Sequence, residues 1–363
     1  MRLIRTISLF LAFVAFQATA TARLAVIYAE TDEPEPQSFN EMIEGIERFA
    51  GVEVIRLALD IRANLPIRLA AAGGGIGPIA VLYPDIGEPY RAIFAKIIEG
   101  IEDKAKNKVS SFPVGSNFDA QELSNELKRQ DIRVVIALGR NGLKAASNLD
   151  KGINVVIGGV VSAPGSELRS GPVISLAPDP ALLFARLKAF SPKTQRVFVV
   201  YDPRQNGWLL RLAKEAAQAQ KIDLVAFEAA DLKSAVSRYH EIFADVDPRR
   251  DALWLPQDSV TVDESTVLPL VLQESWNRNV PLFSSTVSHV KRGALFSLFP
   301  NNIELGRNLA ASALGVASGS TSGRGDIQPL REVLMAVNTR TASHLGLHLP
   351  SRTQDFDLVF PEQ

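Results

Sequence analysis

VFVVYDPRQNG (197–207) sets the fold class. Its first five residues are apolar without a break, and they run into a polar turn that carries Asp202, Pro203, Asn206 and Gly207. A short unbroken apolar run fits a strand buried on both faces of a parallel sheet, and the helical pattern expected at 207–220 fits the crossover such a sheet requires. Six further stretches repeat the arrangement: LAVIYAETDEP (24–34), IAVLYPDIGEP (79–89), VVIALGRNG (134–142), VVIGGVVSAPG (155–165), ALWLPQDS (252–259) and PLFSSTVS (281–288). In open parallel sheets, ligands bind outside the carboxyl ends of the strands. The polar turns are therefore where function is expected.

The chain has 363 residues and a formal net charge of −1, which is no field for nucleic acid or a membrane surface. The absence of cysteine excludes disulfides, thiolate metal sites, a Cys nucleophile and a lipidated N-terminal Cys. Residues 1–22 read as a secretory signal. Arg2 and Arg5 precede an apolar run, Ile7–Phe16, that is too short to span a bilayer, and Ala18-Thr19-Ala20 and Ala20-Thr21-Ala22 are both small-x-small cleavage sites. No later segment approaches the ~18 apolar residues of a spanning helix. A soluble periplasmic protein beginning at Arg23, with no stable membrane insertion, is the expectation.

Residues 25–47 and 80–102 align without a gap at an offset of 55. Eleven of the 23 positions are identical, among them Tyr28/Tyr83, Pro34/Pro89, Phe39/Phe94 and Gly45/Gly100, which marks a duplicated strand–helix unit. Strands are expected at 24–28, 52–57, 79–83, 109–113 and 134–138, from 153 onward and at 173–176, with helices at 38–49, 90–106 and 119–130. Residues 58–77, ending in AAAGGGIG, read as a connector. Asn117 or Asp119 is expected to cap the 119–130 helix, and Asp179 with Pro180 to open another. A second series follows: strands at 197–201, 224–228, 252–255, 281–284 and 294–299 and helices at 207–220, 231–243, 261–278 and 302–317. SGSTSGRG (318–325) is a linker, and a late strand at 332–337 and a short helix at 339–345 close the chain. Two strand–helix series with a late return make two α/β lobes, Rossmann-like with parallel sheets, joined by a hinge and flanking a cleft.

Catalytic signatures are missing from these turns. His344 and His348 are four apart, but Gly346 interrupts them, Pro350 follows and no Glu completes a zinc frame. They read as a solvated pair, and no metal or cofactor is expected. There is no G-x-S-x-G elbow; GSTSG (319–323) lacks the central Ser and lies in a linker. Gly73–Gly77 precede a strand, where a phosphate-cradling loop follows one. Asp85 and Glu88 are explained by helix capping. What the turns do hold is hydrogen-bonding capacity: Ser162, Asn206, Asp258, Ser259, Ser284, Ser285, Asn301 and Asn302, with Tyr83, Tyr90, Trp208 and Phe299 as flat apolar walls. That set suits a small polar metabolite.

Over about residues 78–350 the chain resembles the type I solute-binding proteins of ABC importers, in the branch typified by tryptophan- and tyrosine-binding lipoproteins. The resemblance rests on VVIALGRNGLKAA (134–146), RVFVVYDPRQN (196–206), VPLFSSTVSHVKRGALFSL (280–298), NNIELGRNLA (301–310) and LMAVNTRTASHLGLHLP (334–350). It implies two lobes joined by three crossings that close on a ligand. Lobe I would comprise 78–177 plus about 290–320, and lobe II 178–289 plus about 326–350, with 351–363 as a tail and 23–77 as an extra unit packing with lobe I. Carried over residue by residue, the ligand-binding turns would include Gly139, Arg140, Asn141, Ser162, Asn206, Asp258, Ser259, Ser284 and Ser285. The chain departs from relatives at Ser162-Ala163-Pro164, where many have Thr-Asp-Pro, at Gly207-Trp208, at Pro300-Asn301-Asn302 and in lacking a lipobox cysteine. The implied role is binding without catalysis, with an ABC permease as partner. The alternatives are a sensory protein signalling to a membrane receptor or kinase, and a secreted hydrolase.

Overall fold

The computed structural model describes residues 23–29, 53–59, 79–116, 118–162, 171–319, 327–347, 349 and 356–361. The expected signal at 1–22 and helix at 38–49 lie outside the described residues, as do all but 58–59 of the expected connector at 58–77 and all but 318–319 of the expected linker at 318–325. The chain divides into two compact units, Met1–Gly74 and Gly75–Gln363.

In the first unit β1 (Arg23–Ala29) and β2 (Glu53–Leu59) pair in parallel. Their register extends the sequence repeat. Ala25 pairs with Ile55, and Ala80 pairs with Ser110 in the second unit; both members of the second pair lie 55 residues after those of the first. The offset of 55 that relates the two copies in the sequence thus also relates the two parallel strand pairings.

The second unit opens with β3 (Ile79–Pro84), α1 (Tyr90–Ala105), β4 (Ser110–Val114), α2 (Ala120–Arg129), β5 (Val134–Leu138), α3 (Gly139–Ser147), β6 (Asn154–Val160) and β7 (Val173–Pro178). It continues through α4 (Pro180–Phe190), β8 (Arg196–Tyr201), α5 (Pro203–Ala219), β9 (Asp223–Glu228), α6 (Leu232–Asp245), β10 (Asp251–Leu255), α7 (Val267–Arg278), β11 (Leu282–Ser284), α8 (Val287–Arg292) and β12 (Phe296–Pro300). It closes with α9 (Asn302–Ala317), β13 (Ile327–Leu330), β14 (Val333–Asn338), α10 (Thr339–His344) and β15 (Leu358–Phe360). A parallel six-stranded sheet runs β13-β7-β6-β5-β3-β4, and a seven-stranded sheet runs β15-β14-β12-β11-β10-β8-β9. All five residues of β5 and of β10 are buried, because helices cover both faces. Val135 and Ala137 belong to one core of the first sheet and Val134, Ile136 and Leu138 to the other.

Strand pairing corrects the expected lobe boundaries. Residues 296–300 were expected in lobe I, yet β12 pairs with β11 and β14 in the seven-stranded sheet, and only α9 returns to the first lobe. Residues 327–330 were expected in lobe II, yet β13 pairs with β7. The expected tail contains β15, which pairs with β14. These crossings are set by long-range pairing, which local periodicity does not encode.

Local readings differ in two further places. The sequence offers Gly139-Arg140-Asn141-Gly142 as a turn, but α3 starts directly at the end of β5. Gly139 makes this possible with φ +65°, a left-handed conformation that favours glycine. A Cβ on Gly142 would lie 2.8 Å from the Leu82 carbonyl oxygen, so the helix sits on β3 at glycine distance. Helix α5 begins at Pro203, four residues before the expected start, because Asp202 caps it and Pro203 has the fixed φ of a first helical position.

α1 and α9 meet through two glycines. A Cβ on Gly100 would fall 2.0 Å from Ile303 O, and one on Gly306 would fall 2.0 Å from Ile97 O. Both obstacles are backbone. We expect Gly306→Ala to destabilise the protein by about 1–3 kcal/mol or more, against the usual gain of Ala over Gly in a helix. Gly207→Ala in α5, with nothing within 4 Å, should gain up to ~1 kcal/mol. Urea denaturation of the two variants checks the opposite signs.

Candidate ligand cleft

All three connections between the sheets lie at strand carboxyl ends. β7 leads into α4, which packs in the second lobe, and β12 leads into α9, which packs in the first. β13 runs parallel to β7, and β14 runs antiparallel to β12, so the β13–β14 step also joins carboxyl edge to carboxyl edge. The polar turns of the two sheets thereby lie at the edges that the three crossings join.

On the second lobe the turns after β8 and β10 form one network around Asp258. Its Oδ2 accepts the Asp202 N–H at 2.8 Å and the Asn206 Nδ2–H at 2.9 Å. Its Oδ1 accepts the N–H groups of Val260 at 3.0 Å and Thr261 at 2.9 Å. A buried carboxylate is tolerated when its oxygens are satisfied in this way. Asp202, also buried, caps α5 at Arg204 N, and the Arg204 guanidinium bonded to it holds its carboxyl below the ordinary value. Thr261 Oγ1 donates to Val200 O at 3.0 Å, and Ser259 Oγ bonds Gln205 Oε1 at 3.2 Å. Two buried acceptors in this wall, Asn206 Oδ1 and Gln257 Oε1, and the buried donor Trp208 Nε1 have no hydrogen-bond partner among the described residues.

Ser284 and Ser285 end β11 beside this network, and both are buried. Ser284 Oγ accepts the Thr286 N–H at 3.0 Å and lies 2.8 Å from His289 Nδ1. Ser285 Oγ accepts from Trp254 Nε1 at 3.1 Å, and its N–H donates to Leu255 O at 2.9 Å. His289 Nε2 is 3.8 Å from Glu264 Oε1, so Ser284, His289 and Glu264 stand in a row. The row has no catalytic access: Ser284 is fully buried and its oxygen already serves the turn. Burial pushes His289 from the ordinary 6.5 down to about 4 against the attraction of Glu264.

On the first lobe Arg140 is exposed at the start of α3, and Asn141 Nδ2 donates to Val114 O at 3.2 Å, tying the β5 and β4 ends together. Ser162, after β6, is half-buried. The β3–α1 turn presents Ile86, Tyr90 and Ile93, with Tyr90 58% exposed. The structure thus gathers Asn206, Asp258, Ser259, Ser284 and Ser285 on one lobe and Arg140, Asn141 and Ser162 on the other. Asp202, Gln205, Gln257 and Thr261 were not singled out from sequence. Asp202-Pro203 was a visible signal, the cap-and-proline start of a helix; the others enter only through long-range bonds. Away from the cleft, His344 stacks on Trp276 with ring centroids 3.7 Å apart, and His348 lies outside the described residues.

The family model for ABC transporter substrate binding proteins matches residues 91–354. The chain belongs to that family. Its members are of a binding, non-catalytic kind and typically extracytoplasmic. No curated protein matches the sequence. Among solved structures, the chain is similar to a ligand-free, open substrate-binding protein with adhesive properties from Clostridium difficile, at 16% identity and TM-score 0.57, covering 78% of this chain and 99% of that one. It is also similar to an ABC domain in complex with L-Trp from Streptococcus pneumonia, at 18% identity and TM-score 0.47, with the same coverages. A conserved domain protein from Vibrio cholerae matches at 18% identity and TM-score 0.49, again over 78% and 99%. The likeness to the Clostridium difficile structure, with the sheets described above, establishes the two-lobed periplasmic binding protein-like fold. Among the described residues, no helix is long and apolar enough to cross a membrane.

Two outcomes follow from the second-lobe network. Asp258→Ala orphans four donors at once and should cost about 2–4 kcal/mol in chemical denaturation, whatever it does to ligand binding. His289 binds its proton less readily when folded than when unfolded. Its contribution is therefore present above pH 6.5 and lost as pH falls toward about 4. His289→Gln should flatten the stability profile between those values, and an unchanged slope would show that His289 is not its source.

Proposed function

We propose that the chain is the periplasmic solute-binding component of an ABC importer, exported by the signal at 1–22, and that it binds a small polar metabolite, such as an amino acid or a related compound, between its lobes. The observation that carries this reading is the meeting of two turn-lined carboxyl edges across three short crossings. Binding supplies the function, and no bond is made or broken: the Ser284–His289–Glu264 row is closed to substrate. An ABC permease is the proposed partner.

In this reading the eight candidate residues divide by task. Asp258, Asn206, Ser284 and Ser285 are buried and hold the turns in shape, whereas Arg140, Asn141, Ser162 and Ser259 are the more open polar groups beside the cleft. The solute would hydrogen-bond the more open members and not the buried ones. Tyr90 and Ile86 offer it an apolar wall. Closure would combine these contacts with desolvation of the cleft.

A thermal-shift screen of residues 23–363 against amino acids, nucleosides and small organic acids tests the reading. A ligand at a hundred times its Kd should stabilise the protein by about 2.7 kcal/mol. Arg140→Ala should weaken the response to any hit. The absence of a hit across the three classes would count against a transport role.

A further inference from the structure

The joints between the lobes are unusually short. Only Asp179 separates β7 from α4, only Asn301 separates β12 from α9, and only Arg331 and Glu332 separate β13 from β14. The third joint is hydrogen-bonded to both of the others. Asp179 N–H donates to Leu330 O at 2.8 Å, and Asn301 N–H donates to Glu332 O at 3.0 Å. The three crossings are thus laced side by side, with residues 330–332 in the middle.

Arg331 and Glu332 are successive and of opposite charge, and each grips a different neighbour. Arg331 Nε donates to Asp179 Oδ2 at 3.1 Å. That carboxylate also caps α4 by accepting Ala181 N–H at 2.9 Å, and α4 packs Leu183, Phe184 and Leu187 into the second lobe. Glu332 Oε2 accepts from Asn308 Nδ2 at 3.1 Å, and α9 packs Leu305 and Leu309 into the first lobe. We propose that Arg331 and Glu332 are a two-sided clasp that sets the angle between the lobes, one residue holding a helix of each lobe.

The clasp suits a joint that must move. The Arg331 side chain is 74% exposed and its partner Asp179 11%, so the pair is screened by salt and weak enough to yield. The backbone bonds beside it lie in the joint itself and keep the crossings together at any angle. The role does not depend on which ligand is bound.

Because the chain has no cysteine, spin labels at Lys144→Cys on α3 and Lys214→Cys on α5 are the sole points of attachment. The distance distribution between them, measured without ligand, reads the interlobe angle. Arg331→Ala and Asn308→Ala should each displace or broaden it, and Arg331→Lys, which keeps a charge within reach of Asp179, should restore it. Raising salt should move the unaltered joint toward the Arg331→Ala distribution and leave that variant unmoved. Melting temperatures that fall while the distribution stays unchanged would overturn the proposal, as would a distribution indifferent to salt. Arg331 is exposed, so its variants are expected to fold; the Asn308 variant tests the other half of the clasp separately.

Discussion

The structure of the second unit depends on where two mostly parallel sheets exchange chain. Asp179, Asn301, Arg331 and Glu332 are the whole of the connection, and all of it sits at strand carboxyl ends. This constraint brings the two turn-lined edges to one side and makes a cleft between them. Had any crossing left from an amino end, the polar turns would lie on remote surfaces. Helix caps are built into the same residues: Asp179 caps α4 and Asn301 caps α9. Each cap satisfies donors that a helix start leaves open, so the joint residues are held on both the strand and the helix side.

The second-lobe edge shows how a binding surface is kept in place before any ligand arrives. Asp258 spends both oxygens on backbone and side-chain donors from two different turns. Such a group is expensive to bury and more expensive to leave unpaired, and this ties the β8 and β10 ends to one geometry. Ser284 and Ser285 do the same for β11 through Thr286, His289 and Trp254. The polar richness of these turns has two uses: the buried members hold shape, and the more open members face outward.

Much of the architecture was legible from local pattern. The apolar runs became strands, Asp119 and Asp179 became caps as expected, and the 302–317 helix has its expected bounds. α3 was not legible, because Gly139 and Gly142 read as turn residues until the Leu82 carbonyl is seen pressing on Gly142. The lobe assignments of 296–300 and 327–330 failed for a related reason. A strand at 294–299 was legible and none was at 327–330, and in both cases the partner, β14 or β7, is distant in sequence. Of the site, the sequence supplied residue types near strand ends. It did not distinguish Asp258, enclosed by four donors, from Ser259 beside it, which is exposed.

The sequence by itself determined the fold class, the family and the absence of thiol chemistry, because these rest on periodicity, motif and composition, which are local or additive properties. It also carried the duplication of the first strand–helix unit. Tertiary structure alone decided which strand each late segment joins, that the two strand pairings share the offset of the repeat, and that Arg331 and Glu332 bond different helices. Those outcomes depend on pairing between residues far apart in the chain, where the energy lies in a partner's position and not in the identity of either residue.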